Sequence, residues 1–227
     1  MTTAFTTTAL QIVDDAAFLV GRKNIGNDLE TADVTVFLRL LNDMIKQWEG
    51  AGVYLHTLQD VTVTLDGSSQ SYTMSPTGDV VTGRPMRCVS ARRVDSDGYE
   101  TPVELISRED YKRIPLKSAT GPVTLAAYEK QATYGTLYVW PLGETTDTLS
   151  VSIQRPIDIF DSSTDAGDFP SEMFLALKYG LAAILADGTG LDLTVRQTIK
   201  AEARQYFDVL KCNDQETTSL FIQPRMR

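Results

Sequence analysis

Four aspartates in fifteen residues, Asp158, Asp161, Asp165 and Asp168 of PIDIFDSSTDAGDFP, are a first set of side chains in the chain that could do chemistry. Carboxylates in such number can ligate a hard cation. The spacing, however, lacks both the central glycine and the closing glutamate of a calcium loop, so a solvated linker is the simpler expectation. The sole histidine, His56, would have to serve any Ser-His-Asp or Cys-His arrangement, and no nucleophile motif accompanies it. Two distant cysteines, Cys88 and Cys212, do not make a zinc pattern and are expected as buried free thiols. Neither GxGxxG nor GxxxxGK[ST] occurs, which removes the standard signatures of dinucleotide and P-loop binding. The sequence therefore predicts no catalytic group, no metal and no cofactor. A hydrolase working through two carboxylates stays as a minor alternative, because converging carboxyl groups are invisible in a sequence.

A second cluster is cationic. GRPMRCVSARRV places Arg84, Arg87, Arg92 and Arg93 within ten residues of a chain whose net charge is -9. If Met86–Val94 is a strand, alternation puts Arg87, Val89, Ala91 and Arg93 on one face and Cys88, Ser90, Arg92 and Val94 on the other. Neither face is a basic stripe, so a ribbon that reads DNA is not expected. Turn and edge ion pairs are the plain reading, and docking on an acidic protein surface is the functional one. The negative charge is itself uneven. Residues 156–187 hold six acids against Lys178 alone. Such a balance argues against wrapping DNA but suits a wall that a duplex slides past without sticking. Asp161, Asp165, Asp168, Glu172 and Asp187 are the candidate channel-facing acids. Beyond residue 213, three adjacent apolar residues, Leu220, Phe221 and Ile222, and two bases, Arg225 and Arg227, mark a candidate contact for a partner.

The elements that must position these residues fall into three zones. Leu10, Val13, Ala17 and Val20 recur at helical steps before Gly21, and Val36, Leu40, Met44, Ile45 and Trp48 repeat the pattern, with Asp33 as N-cap and Gly50 and Gly52 as the stop. From Val53 to Ile159 the period changes to two. Val61, Val63 and Leu65 precede the turn Asp66-Gly67, and further strands are expected at 70–74, 86–94, 103–106, 123–128, 136–140 and 149–154. Ser107 opens a single helical turn. Helix returns at Pro170, capped by Asp168 or Ser171, with Phe174, Leu177, Leu181, Ile184 and Leu185 inward. A last helix follows Asp192 through Val195, Ile199, Ala203, Tyr206 and Leu210. Two helical pairs that each expose an apolar face pack most economically on each other. The expected fold is thus α+β: a four-helix α domain formed from both chain ends, residues 1–52 and 160–212, with an inserted antiparallel β sandwich or barrel-like domain at 53–159. Residues 213–227 follow as an extended tail. No apolar run is long enough for a membrane span, and the first residues carry no basic leader, so no secretory signal is expected.

In that order, several stretches are similar to one known family. They are TVTLDGSSQSYT (Thr62–Thr73), Gly83-Arg84-Pro85, RVDSDGYETPVELISREDYKRIP (Arg93–Pro115), TYGTLYVWPLGE (Thr133–Glu144) and FPSEMFLALKYGLAAILADGTG (Phe169–Gly190). The chain resembles the head-to-tail adaptor, or head completion and connector, proteins of short-tailed bacteriophages over roughly residues 5–210. The resemblance implies a virion structural protein at the head–tail junction, assembled in the host cytoplasm. It implies a homo-oligomeric ring of twelve copies beneath the portal protein, which extends the channel, helps retain packaged DNA and offers a platform to a tail or nozzle protein. Duplex DNA would pass through the lumen without sequence-specific binding, and no membrane or reaction is involved. The long β region departs from the simplest, nearly all-helical adaptors. Another neck, baseplate or fibre-attachment protein is the alternative, with a host interaction domain behind it.

Overall fold

The computed structural model describes residues 7–53 and 55–213. The fold is α+β, with helices towards both chain ends and a nearly closed, largely antiparallel β-barrel between them in sequence. Two compact units result: one from the residues before Thr57 and after Pro156, the other from Thr57–Pro156. Both boundaries fall inside the expected 53–159. Val53 and Ile157 are buried in the helical core, at 0% and 2% exposure, and so draw the chain on either side into that unit.

The helical unit contains α1 (Ala9–Leu19), α2 (Thr31–Ala51), α4 (Phe174–Gly188) and α5 (Leu193–Asn213). Thr8 caps α1 in a capping box: its hydroxyl accepts from the Gln11 N–H, and the Gln11 side chain accepts from the Thr8 N–H. Three alanines, Ala9, Ala16 and Ala17, share the buried face of α1 with Ile12 and Val13, and the C-cap Val20 is buried with them. Val13, Ala17 and Val20 are buried as expected, and Leu10 alone of the expected face lies partly outside. Val36, Ile184 and Val195 likewise lie on exposed flanks. Glu30, not Asp33, stands at the α2 N-cap position, without a side-chain cap; Asp33 sits in the first turn, where its charge still favours the helix dipole. Gly52 ends α2 in the left-handed region at φ 99°, and Gly50 is an ordinary helical residue. Pro170 precedes a short 3₁₀ turn, Ser171–Met173, and neither Asp168 nor Ser171 caps α4.

Four hydrogen bonds secure the chain where it returns from the barrel. Asn42 donates to the Phe160 carbonyl (2.9 Å) and accepts from the Phe160 N–H (3.0 Å). Lys46 donates to the Ile157 carbonyl (2.6 Å), while buried Glu49 accepts from the Ile157 N–H (3.2 Å). Side chains of α2 thus satisfy both backbone groups of Ile157 and of Phe160, as a backbone neighbour otherwise would. Beyond it, the carbonyls of Ser163 and Asp165 accept from the free N–H groups of Leu10 and Ala9 at the start of α1.

The barrel contains β1 (Leu58–Thr64), β2 (Ser71–Ser75), β3 (Val80–Val81), β4 (Arg87–Val94), β5 (Glu100–Leu105), β6 (Leu125–Lys130), β7 (Gly135–Trp140) and β8 (Thr148–Gln154), with the short helix α3 (Arg108–Arg113) after β5. Strand order is β1-β8-β4-β5-β6-β7-β2-β3; β5–β6 and β2–β3 are parallel and the other pairs antiparallel. The terminal strands of that order, β1 and β3, approach each other. Asp66-Gly67 makes a turn, with the Asp66 carboxylate accepting from the N–H groups of Ser68 and Ser69, yet β1 and β2 do not pair. The turn is a corner that sends β2 to β7. Val63, Leu65, Met74, Leu137, Val139, Leu149, Val151 and Ile153 fill the interior at 0–1% exposure, so the barrel is a solid core.

Replacing Asn42 by alanine strands the Phe160 N–H and carbonyl and is expected to cost about 1–3 kcal/mol in urea unfolding. Aspartate at 42, which keeps an acceptor and loses the donor, should fall between the two.

Candidate functional site

The cationic cluster of the sequence is dispersed by the fold. A bulge in β4, where the pairing with β8 shifts between Cys88 and Ser90, breaks the alternation. Cys88 packs against the barrel core and Ala91, three residues on, is buried in it, while Val89 is 46% exposed. The two-face division expected for Arg87–Val94 therefore fails at Val89. Arg84 is half-buried and donates to the Gln131 carbonyl at 3.1 Å, and Arg87 is exposed. Arg92 pairs with Glu100 across β4 and β5 at 3.0 Å in solvent. Arg93 points elsewhere: its guanidinium meets Asp147 at 3.3 Å, with side-chain exposures of 18% and 4%. That pair ties the turn before β8 to β4 and is internal to the barrel.

The acids are divided as well. Asp161 and Glu172 are exposed. Asp165 is spent on its own loop, accepting from the Ser162 N–H at 2.7 Å. Asp168 is half-buried. Asp187 is bound by Lys200 at 2.7 and 2.9 Å, and that ammonium holds its carboxyl below the usual aspartate range. Fifteen-residue α4 separates Asp187 from Glu172 by about 22 Å of helix. These acids are not one cluster. Of the terminal candidates, Leu220, Phe221, Ile222, Arg225 and Arg227 lie outside the described residues.

Groups suited to chemistry are engaged structurally. His56 lies 6.0 Å from the Phe169 ring, centroid to centroid, within the helical unit. Among the described residues, no three of His, Cys, Asp and Glu gather as metal ligands. Burial pushes the Cys88 thiol up to about 12, whereas Cys212, expected to be buried, is exposed on α5. Tyr128 donates from its hydroxyl to the Pro85 carbonyl at 2.6 Å, and burial raises its phenol. Tyr111 and Tyr138 pair their rings 5.0 Å apart. No helix among the described residues is long and apolar enough to cross a membrane.

What the sequence reading missed is an apolar exterior on the helical unit. Phe18 of α1 is 52% exposed, Leu193 and Val209 of α5 are 60% and 53%, and Leu175 of α4 is 46%. Ile25, between α1 and α2, is 89% exposed and lines a hollow of about 380 Å³ with Gln11, Asp14, Asp15, Phe18 and Lys23. A second hollow, about 320 Å³, opens between α2, α4 and α5 over Met44, Trp48, Gly180, Ile184 and Phe207. The off-face positions Leu10, Val36, Ile184 and Val195 were the available signal: apolar residues too numerous for one helical stripe. No protein-family model matches the chain, and no curated protein matches its sequence.

Arg93→Ala leaves Asp147 buried without its partner and should cost roughly 3–5 kcal/mol in denaturant unfolding; Arg92→Ala, at an exposed pair, should stay within about 0.5 kcal/mol. Thiol labelling of the native protein near pH 8, read by mass spectrometry, should modify Cys212 and spare Cys88.

Proposed function

We propose that the chain is a structural subunit of a bacteriophage head–tail junction, an adaptor that associates with its own copies into a ring beneath the portal. The observation that carries the reading is the apolar exterior of the helical unit. α1 and α5 both pack on α4, yet each keeps large apolar side chains in solvent, Phe18 on one and Leu193 and Val209 on the other. A ring joins copies through two unlike surfaces, and apolar patches on different helices of one subunit supply such a pair. The resemblance of Thr62–Thr73, Arg93–Pro115 and Phe169–Gly190 to adaptor sequences supports the same role.

Within this proposal, the solid barrel and the structural engagement of its polar groups leave the β unit as a pre-formed surface for a portal or tail protein. Arg84, Arg87 and Arg92 are its candidate contacts; Arg93 belongs to the fold. Asp161 and Glu172 are the acids free to face a duplex in the lumen, repelling phosphate so that DNA slides.

Mixing the purified chain with the dodecameric portal of the same virus should give a ring at one end of the portal in electron images. No association from low to high salt would overturn the reading. Phe18→Ser and Leu193→Ser, both at exposed positions, should leave the monomer folded and abolish ring closure.

A further inference from the structure

The cleft between α2, α4 and α5 is lined mainly by apolar side chains. Gly180 forms part of its lining: a Cβ there would stand 2.7 Å from the Met44 sulfur and 2.9 Å from the Trp48 ring, so only glycine leaves this space open. Trp48 and Phe207 form an aromatic wall, their ring centroids 5.1 Å apart, and Ala183, Ile184 and Ala203 line the rest. Only Gln47 and Arg204 contribute polar ends. Arg204 also borders a more open hollow of about 510 Å³ along α5, lined with it by Ala201, Gln205, Asp208, Val209 and Cys212. The two hollows meet at Arg204, and the second carries the apolar side chains of Ala201, Val209 and Cys212 on to the last turn of α5.

The sequence that follows α5 matches these hollows in reach and chemistry. α5 ends at Asn213, and Phe207 lies six residues earlier, about 9 Å back along the helix. Residues 214–219, DQETTS, span up to about 20 Å when extended, enough to reverse and bring Leu220, Phe221 and Ile222 over Trp48 and Phe207. The bases that come next, Arg225 and Arg227, have acids to meet. Asp43, one turn before Gln47 on α2, and Asp208, beside Phe207 on α5, are exposed and without an ion-pair partner among the described residues. A tethered segment is also present at high effective concentration, an advantage no free partner has.

We propose that the C-terminal segment of this chain, residues 219–227, docks in the α2–α4–α5 cleft of its own helical unit, with Phe221 seated beside Trp48 and the terminal arginines against Asp43 and Asp208. The inference concerns the free subunit and does not rest on the ring. In the free chain the segment covers apolar surface that assembly partners would otherwise meet.

The test compares the full chain with a full-length variant carrying Leu220→Ser, Phe221→Ser and Ile222→Ser, by amide hydrogen exchange without any partner. Residues 44–51 and 203–209 are expected to exchange roughly tenfold faster in the variant, equally at low and high protein concentration, with unchanged far-UV circular dichroism. A synthetic peptide of residues 214–227 added to the variant should restore protection. Ala183→Arg, which puts a charged chain into the cleft while the segment stays wild type, should give the same faster exchange. Equal exchange in wild type and variants would overturn the proposal. Protection that rises with protein concentration would overturn it too, since the occupant would then be a second copy.

Discussion

Residues 174–188 are apolar around almost their whole circumference, and the rest of the helical unit follows from covering them. Leu177, Leu181, Ala182 and Ala186 are fully buried, and Phe174, Ala176 and Leu185 nearly so. A helix of this kind needs partners on several sides. It finds α5 directly after it in sequence, and α1 and α2 more than a hundred residues before it. The two ends of the chain must therefore meet, and residues 57–156 become an excursion that leaves the helical unit and returns to it. Lys178, the only base on α4, reaches Asp15 of α1 at 2.5 Å, so its one charge is also held by the other end of the chain.

The return is fixed by polar groups as well as by apolar burial. Asn42, Lys46 and Glu49 pair with the backbone of Ile157 and Phe160 while Ile157 and Phe160 bury their side chains in the core. A backbone entering an apolar region needs its N–H and carbonyl groups satisfied, and here a helix face does so. Gly167 nearby permits the Phe160 and Phe169 rings to close in, since a Cβ would come within 2.7 Å of each.

The β unit puts its charged groups to the same structural use. Arg93 and Asp147 join a turn to a strand, Arg92 and Glu100 lie on neighbouring strands, and Arg108 meets Glu129 at 2.8 Å. A cluster of arginines in sequence thus separates into individual attachments in space. The apolar exterior, by contrast, belongs to the helical unit and is spread over residues distant in sequence. The arginines therefore stand together in the sequence, and the exposed Phe18, Leu193 and Val209 do not.

Periodicity alone determined the order of helices and strands except for the two-residue β3, the helical turn after Ser107, and the pairing of both chain ends in one α domain, because each depends on local spacing and on the need to hide apolar stripes. Tertiary structure alone decided which flank of each stripe is buried. Leu10 lies partly outside while its neighbour Ala9 and Ala16 are buried. It also decided that Asp66-Gly67 turns a corner between strands that never pair, and that a bulge at Val89 reorders the faces of β4. Strand partners and helix faces depend on contacts between residues far apart along the chain, and a local pattern carries no record of those distances.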